Sequence, residues 1–168
     1  MNNKILSKNL LQYLVQIMQL TVALIVVFIS TSSHALTVDQ LLTENKLTIK
    51  TTIKQGEQQI VGQPIIIVIE VATDRWFAKG TKILNIELAD IIILANSETS
   101  INGTIKVNGQ TWSTQTREIV IYPRRHGDYK LPSIGVQVSI NTLDDGIVEG
   151  IIETTEQYFT ILLPDELT

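Results

Sequence analysis

From Leu47 onward the inward-looking residues of this chain recur every second position, and that period constrains its fold more than any other feature. Leu47, Ile49, Thr51 and Ile53 alternate with Thr48, Lys50, Thr52 and Lys54, as expected of a half-buried strand. Ile134, Val136, Val138 and Ile140 alternate with Gly135, Gln137 and Ser139 in the same way. Further β-type runs are Ile65 to Ala72, Ile83 to Leu88, Ile91 to Ala95, Arg117 to Tyr122, Ile147 to Thr154 and Gln157 to Leu163. Turn chemistry separates them. Asn108-Gly109 is a strong hairpin signal, because both residues tolerate the positive φ of a type I′ turn, and it joins Thr104–Val107 to Gln110–Ser113. Gly62-Gln63-Pro64 and Asp144-Asp145-Gly146 are turns, Thr73 to Thr81 and Asn96 to Gly103 read as loops, and no helix of useful length is expected beyond a turn at Val38 to Thr43. Eight to ten short strands with hairpin connections predict an all-β, antiparallel sandwich rather than a parallel α/β sheet.

The first 35 residues read differently. Lys4 and Lys8 form a positive start with no acidic residue before Asp39, and Leu20 to Ile29 is apolar except for Thr21. Ser33 and Ala35 then fit the −3 and −1 positions of a small-x-small cleavage site. This predicts a secretory signal peptide over residues 1–35, a lead segment over 36–46 and one domain over 47–168. The apolar run is too short for a membrane span, which takes roughly 20 residues. The alternative is an uncleaved anchor lengthened by Leu10, Leu11, Leu14, Val15, Ile17 and Met18, which Gln12, Gln16 and Gln19 weaken.

Removing the leader takes away Lys4 and Lys8 but no acidic residue, so the formal net charge deepens from −4 to −6. So acidic a domain is not an obvious binder of nucleic acid or anionic lipid. The chain has no cysteine, which excludes disulfides and thiolate chemistry. His126 is the one histidine after the leader.

The stretch from Gln110 to Ile134 carries a family resemblance. Gly109 and Trp112 fit a Gly-x-x-Trp hairpin. Tyr122-Pro123 ends a strand, Gly127 closes an x-x-x-Gly turn, and Leu131-Pro132-Ser133-Ile134 opens the next strand as Leu-Pro-x-Ile. Together with Val61-Gly62-Gln63-Pro64, Arg75-Trp76-Phe77 and Phe159 to Pro164, this resembles the BatD/oxygen-tolerance family over about residues 47–164, as a short single-module member. The resemblance implies an immunoglobulin-like β-sandwich in the periplasm. It also implies partners in an envelope complex: von Willebrand A-type membrane proteins and a MoxR-type ATPase. Members of that family are several times longer, with further sandwich domains and a C-terminal membrane helix.

Residues of the motif have structural readings of their own. Pro123 cannot donate to a ladder and should end a strand at a sheet edge. Gly127 permits a tight turn, and Tyr129 is placed to bury its ring while its hydroxyl bonds back to nearby backbone, as in a tyrosine corner. Leu131, with Pro132 after it, and Ile134 should lead into the core.

Catalytic patterns are weak. His126 stands beside Arg125 and near Asp128, but Ser113 and Ser133 have no nucleophile elbow around them. Asp144 and Asp145 have hairpin composition rather than a calcium ladder, and Glu70, Glu87 and Glu98 single out no carboxylate pair. The expectation is a non-enzyme without cofactor or metal that binds proteins. Trp76 and Phe77 are the first candidates for that contact, since two adjacent large aromatics in a polar loop cannot both point into one core by strand alternation. The other reading has both packed as a plug over the end of the sandwich. Arg124 and Arg125 form a second candidate surface. A carbohydrate- or peptidoglycan-binding sandwich would instead need Trp76, Trp112 and Tyr122 along one groove, and a chaperone-like sandwich would lend a strand edge to a client.

Overall fold

The structure, a computed structural model, describes residues 12–19, 35–54, 59–84, 86–94 and 100–164. The chain divides into two compact units, Met1–Ala35 and Leu36–Thr168. In the first, residues 12–19 are helical with exposed side chains. The Leu20 to Ile29 run and Ser33 lie outside the described residues. No described helix is long and apolar enough to cross a membrane.

The second unit opens with helix α1 (Val38–Thr43). Thr37 caps it: its hydroxyl accepts from the Gln40 N–H at 3.2 Å, and the Gln40 side chain accepts from the Thr37 N–H at 2.9 Å. Val38 and Leu41 on its inner face are buried in the core. The lead segment is therefore part of the folded unit. Gly150 makes this docking possible, because a Cβ there would meet Val38 Cγ2 at 2.8 Å.

Eleven strands follow among the described residues: β1 (Leu47–Lys54), β2 (Ile65–Thr73), β3 (Trp76–Phe77), β4 (Lys82–Ile83), β5 (Ile91–Leu94), β6 (Ile101–Val107), β7 (Gln110–Pro123), β8 (Gly127–Leu131), β9 (Gly135–Asn141), β10 (Ile147–Glu153) and β11 (Gln157–Ile161). Every strand pairing is antiparallel. One sheet runs β1-β2-β7, with β6 and β5 following each other along the far side of β7. Another runs β10-β9, with β3 and β4 sharing the far side of β9. Strands β8 and β11 pair separately.

These last two sets form one long hairpin. Gly135 faces Glu153 and Leu131 faces Gln157, so three residues intervene on each side and the register passes straight through. Ile134 and Thr154 close the gap, the Ile134 N–H donating to the Thr154 hydroxyl at 2.9 Å and the Thr154 N–H to the Ile134 carbonyl at 3.1 Å. Pro132 interrupts the ladder because it has no N–H to give. The alternating residues of this hairpin and of β2 and β7 bury their apolar faces in one cluster, which includes Ile67, Ile69, Ile119, Ile121, Leu131, Val136 and Ile140.

Between β1 and β2 the chain reaches the segment that follows β11. Ile60 bridges Leu162 in parallel, with Leu162 N–H donating to the Gln59 carbonyl at 2.8 Å. The Asn108-Gly109 turn has φ of 50° and 82° at its two central residues, as a type I′ hairpin requires.

Three expectations need correction. The two strands read at Gln110–Ser113 and Arg117–Tyr122 are one 14-residue strand, because β2 pairs with it without a break from Ser113 to Ile121. The loop read at Asn96 to Gly103 is strand from Ile101 on, paired to Thr116. The loop read at Thr73 to Thr81 contains β3, whereas of the run read from Ile83 to Leu88 only Ile83 lies in a strand among the described residues. The cause of the last is Thr81. The chain takes two more residues than β9 between Phe77–Ile140 and Lys82–Gln137, and the excess turns inward. Thr81 is fully buried there, its N–H donating to Gln115 Oε1 at 2.7 Å and its carbonyl accepting from Arg117 Nη2.

Candidate protein-interaction surface

Trp76 and Phe77 follow strand alternation. Phe77 faces the core cluster, while Trp76 points outward and is 65% exposed. Their pairing with Ile140 and Asn141 fixes this division, since directly opposed residues share a face and Ile140 is fully buried. The core-plug arrangement does not occur. Arg75 holds the entry to β3: its Nη1 donates to the Thr142 carbonyl at 2.9 Å, and its N–H donates to the Thr73 hydroxyl at 3.3 Å. At 3.8 Å its contact with Asp74 is electrostatic rather than a hydrogen bond.

Across β9, Asn141 also faces Ile147, so Trp76, Asn141 and Ile147 form one outward row. Ile147 is exposed, as is Leu143 on the adjoining turn. The next rows carry polar groups. Glu149 accepts from Lys79 Nζ at 2.8 Å and from Ser139 Oγ at 3.0 Å, and these bonds hold its carboxyl below the usual glutamate range. The result is an apolar centre at Trp76 with a charged margin, the composition of a protein-binding patch.

Arg125 and Arg124 do different things. Arg125 Nη1 pairs with Asp90 at 3.3 Å, while the Arg124 N–H donates to the Asp90 carbonyl at 2.9 Å and its side chain is exposed. Gly127 has φ of 119°, in the region that favours glycine, and Pro123 is the last residue of β7. Two bonds hold the Tyr129 hydroxyl against the turn: it donates to the Arg125 carbonyl at 3.0 Å and accepts from the Arg125 N–H at 3.3 Å. Its ring stacks on Phe159 with centroids 5.4 Å apart. Leu131 and Ile134 are buried and Pro132 is half-buried.

The chemical candidates stay dispersed. His126 is exposed beside a cleft with Asp90 and Asp128, and Ser133 donates to Glu153 at 3.0 Å. Asp144 and Asp145 are exposed in the turn after Thr142. Among the described residues no three acidic or histidine side chains converge as a metal cluster. The tryptophans and Tyr122 do not line one groove. Trp112 is only 7% exposed, and it stands ten residues from Tyr122 on β7, roughly 33 Å along a strand. Trp76 belongs to the other sheet.

Reading the sequence alone misses Gln115, Arg117 and Thr81. A signal was present: Gln115 and Arg117 occupy the same alternation as Ile119 and Ile121, so their inward position called for buried polar partners. Compared with family models, curated proteins and solved structures, the chain matches none.

Proposed function

We propose that residues 36–168 form an immunoglobulin-like sandwich, exported to the periplasm, that binds other envelope proteins and performs no catalysis. Its role resembles that of the BatD/oxygen-tolerance module, acting with von Willebrand A-type membrane proteins and a MoxR-type ATPase. The fold reading is supported by the tyrosine corner at Tyr129 and by the crossing of the chain from β1 to the Ile60–Leu162 bridge. Export is supported by the leader pattern and by the division of the chain after Ala35.

One observation carries the binding function. The domain packs a half-buried Phe77 against the core and leaves its neighbour Trp76 in solvent, on an edge stiffened by pairing to β9. A large exposed aromatic on a rigid support is the residue type that dominates interface energies. The test is purification of wild-type and Trp76→Ala protein from envelope extracts. Wild type should retain a von Willebrand A-type protein and the variant should lose it, with both chains beginning at Leu36. Equal retention by both would sink the role of Trp76, and a chain beginning near Met1 would replace export and cleavage with an anchor.

A further inference from the structure

The row of Trp76, Asn141 and Ile147 ends at the turn from Thr142 to Gly146, which joins β9 to β10. Thr142 closes this turn, its N–H and its hydroxyl both donating to the Gly146 carbonyl, at 2.9 and 2.8 Å. The Leu143 N–H donates to Asn141 Oδ1 at 3.0 Å, and the Asp144 N–H donates to the Thr142 carbonyl at 2.7 Å. That carbonyl also accepts from Arg75, which ties the turn to the entry of β3 beside Trp76.

Leu143 does not suit this backbone. Its φ is 64°, and every other residue of positive φ among the described ones is Gly, Asn or Asp, which tolerate that region. A leucine there strains the turn, and at 77% exposure its side chain recovers nothing by burial. Glycine or asparagine would serve the turn better, so the fold does not account for the leucine. What it does is lengthen the apolar row, since Trp76 and Ile147 are also more than half exposed.

The charges beside this row select its occupant. Lys79 is matched by Glu149, Lys46 by Glu44, and Arg75 by the nearby Asp74. Asp144 and Asp145, exposed in the turn itself, enter no ion pair among the described residues. The unbalanced charge at this end is therefore two carboxylates. Two-fold pairing with a second copy would put two such acid pairs on one interface, and an anionic bilayer would meet them with like charge. We infer that Trp76, Leu143 and Ile147 seat on an apolar area of a partner protein whose rim carries lysine or arginine against Asp144 and Asp145. This rests on the reading of Trp76 as a partner contact, and it adds the turn and the partner's charge. Apolar contact supplies the affinity, and the opposed charges orient and speed the encounter.

The test places a benzophenone-bearing residue at position 143 of the full chain and irradiates intact envelopes. The adduct, mapped by mass spectrometry, should lie in another protein. Asp144→Lys with Asp145→Lys should cut its yield about tenfold, and glutamate in place of the basic residues flanking the mapped site should restore it. Leu143→Gly should reduce retention of that protein about tenfold while melting no lower than wild type, because glycine accepts the φ that leucine strains against. An adduct with lipid, an adduct with a second copy, or no adduct would overturn the inference. So would an unchanged yield in the lysine variant, or a Leu143→Gly protein that keeps its partner or melts lower. Trp76→Ala separates the two readings. Should it lose the partner while Leu143→Gly and the lysine variant keep it, this inference fails and the role of Trp76 stands. An adduct with a protein not of von Willebrand A type, at a site with basic flanks, supports this inference and removes the partner proposed above.

Discussion

Tyr129 and Trp76 both belong to short strands, and the domain uses them in opposite ways. Tyr129 stacks on Phe159 and returns its hydroxyl to the Arg125 backbone, so its ring and its polar atom are both committed to the fold. Trp76 stands beside a residue that reaches the core and is itself left in water. The difference lies in the neighbours. At the corner, Gly127 turns the chain and Leu131 anchors it, so Tyr129 closes a structure that needs it. At β3, Phe77 and Arg75 already fix the backbone, and Trp76 is free to serve another surface. Substitutions in the corner should therefore cost stability, and substitutions at Trp76 should cost binding.

The largest loss is expected at Leu131. It is fully buried where the long hairpin is interrupted, and Leu131→Ala should destabilise the domain by about 2–5 kcal/mol in urea denaturation. A cost under about 1 kcal/mol would mean that the corner is not anchored in the core. Gly127→Val comes next. Open space surrounds Gly127, so its penalty is conformational and should be about 1–3 kcal/mol. Wild-type stability in that variant would show that the turn can relax to a negative φ.

Tyr129→Phe keeps the stacked ring and removes only the hydroxyl. The expected cost is about 1 kcal/mol, because a partly exposed hydrogen bond is lost and water can replace it in part. No measurable change would reduce the corner to packing alone.

The smallest effect concerns the charged margin of the Trp76 face. Lys79 and Ser139 bond the Glu149 carboxylate and lower its pKa, so an NMR titration should find it protonating below an ordinary glutamate. The folded state favours the charged form, so its contribution is present at neutral pH. It is lost as pH falls through the lowered folded-state value. Lys79→Met should move the midpoint back up, and an unmoved midpoint would show that the lysine contact is not formed in solution.

The corner was more legible in the sequence than the edge, for a physical reason. Gly127, Tyr129, Leu131 and Ile134 interact with residues close by or follow a strict period of two, and local patterns report such contacts. The same holds for Asn108-Gly109, whose turn is set by its own two residues. Position β3 depends on β9, more than sixty residues later, and on Thr81 turning inward to Gln115 and Arg117. No local window contains those partners, so a strand edge read as a loop. Alternation still separated Trp76 from Phe77, although it could not say which of them would face out. Strand β5 differs again. Ile91 to Ala95 reads as an apolar run, and in its strand Ile91 and Ile93 pack on the core while Ile92 and Leu94 are exposed.

The division between scaffold and surface is tested most directly by measuring folding and binding on one variant. Purified Trp76→Ala should denature at the wild-type midpoint. Its affinity for the proposed von Willebrand A-type partner, titrated by calorimetry, should fall by about 2 kcal/mol or more, roughly thirtyfold. Unchanged affinity with an unchanged midpoint would contradict the account and shift the binding surface to Arg124 and Arg125. A midpoint lowered by about 3 kcal/mol of stability or more would contradict it differently, by making Trp76 part of the core.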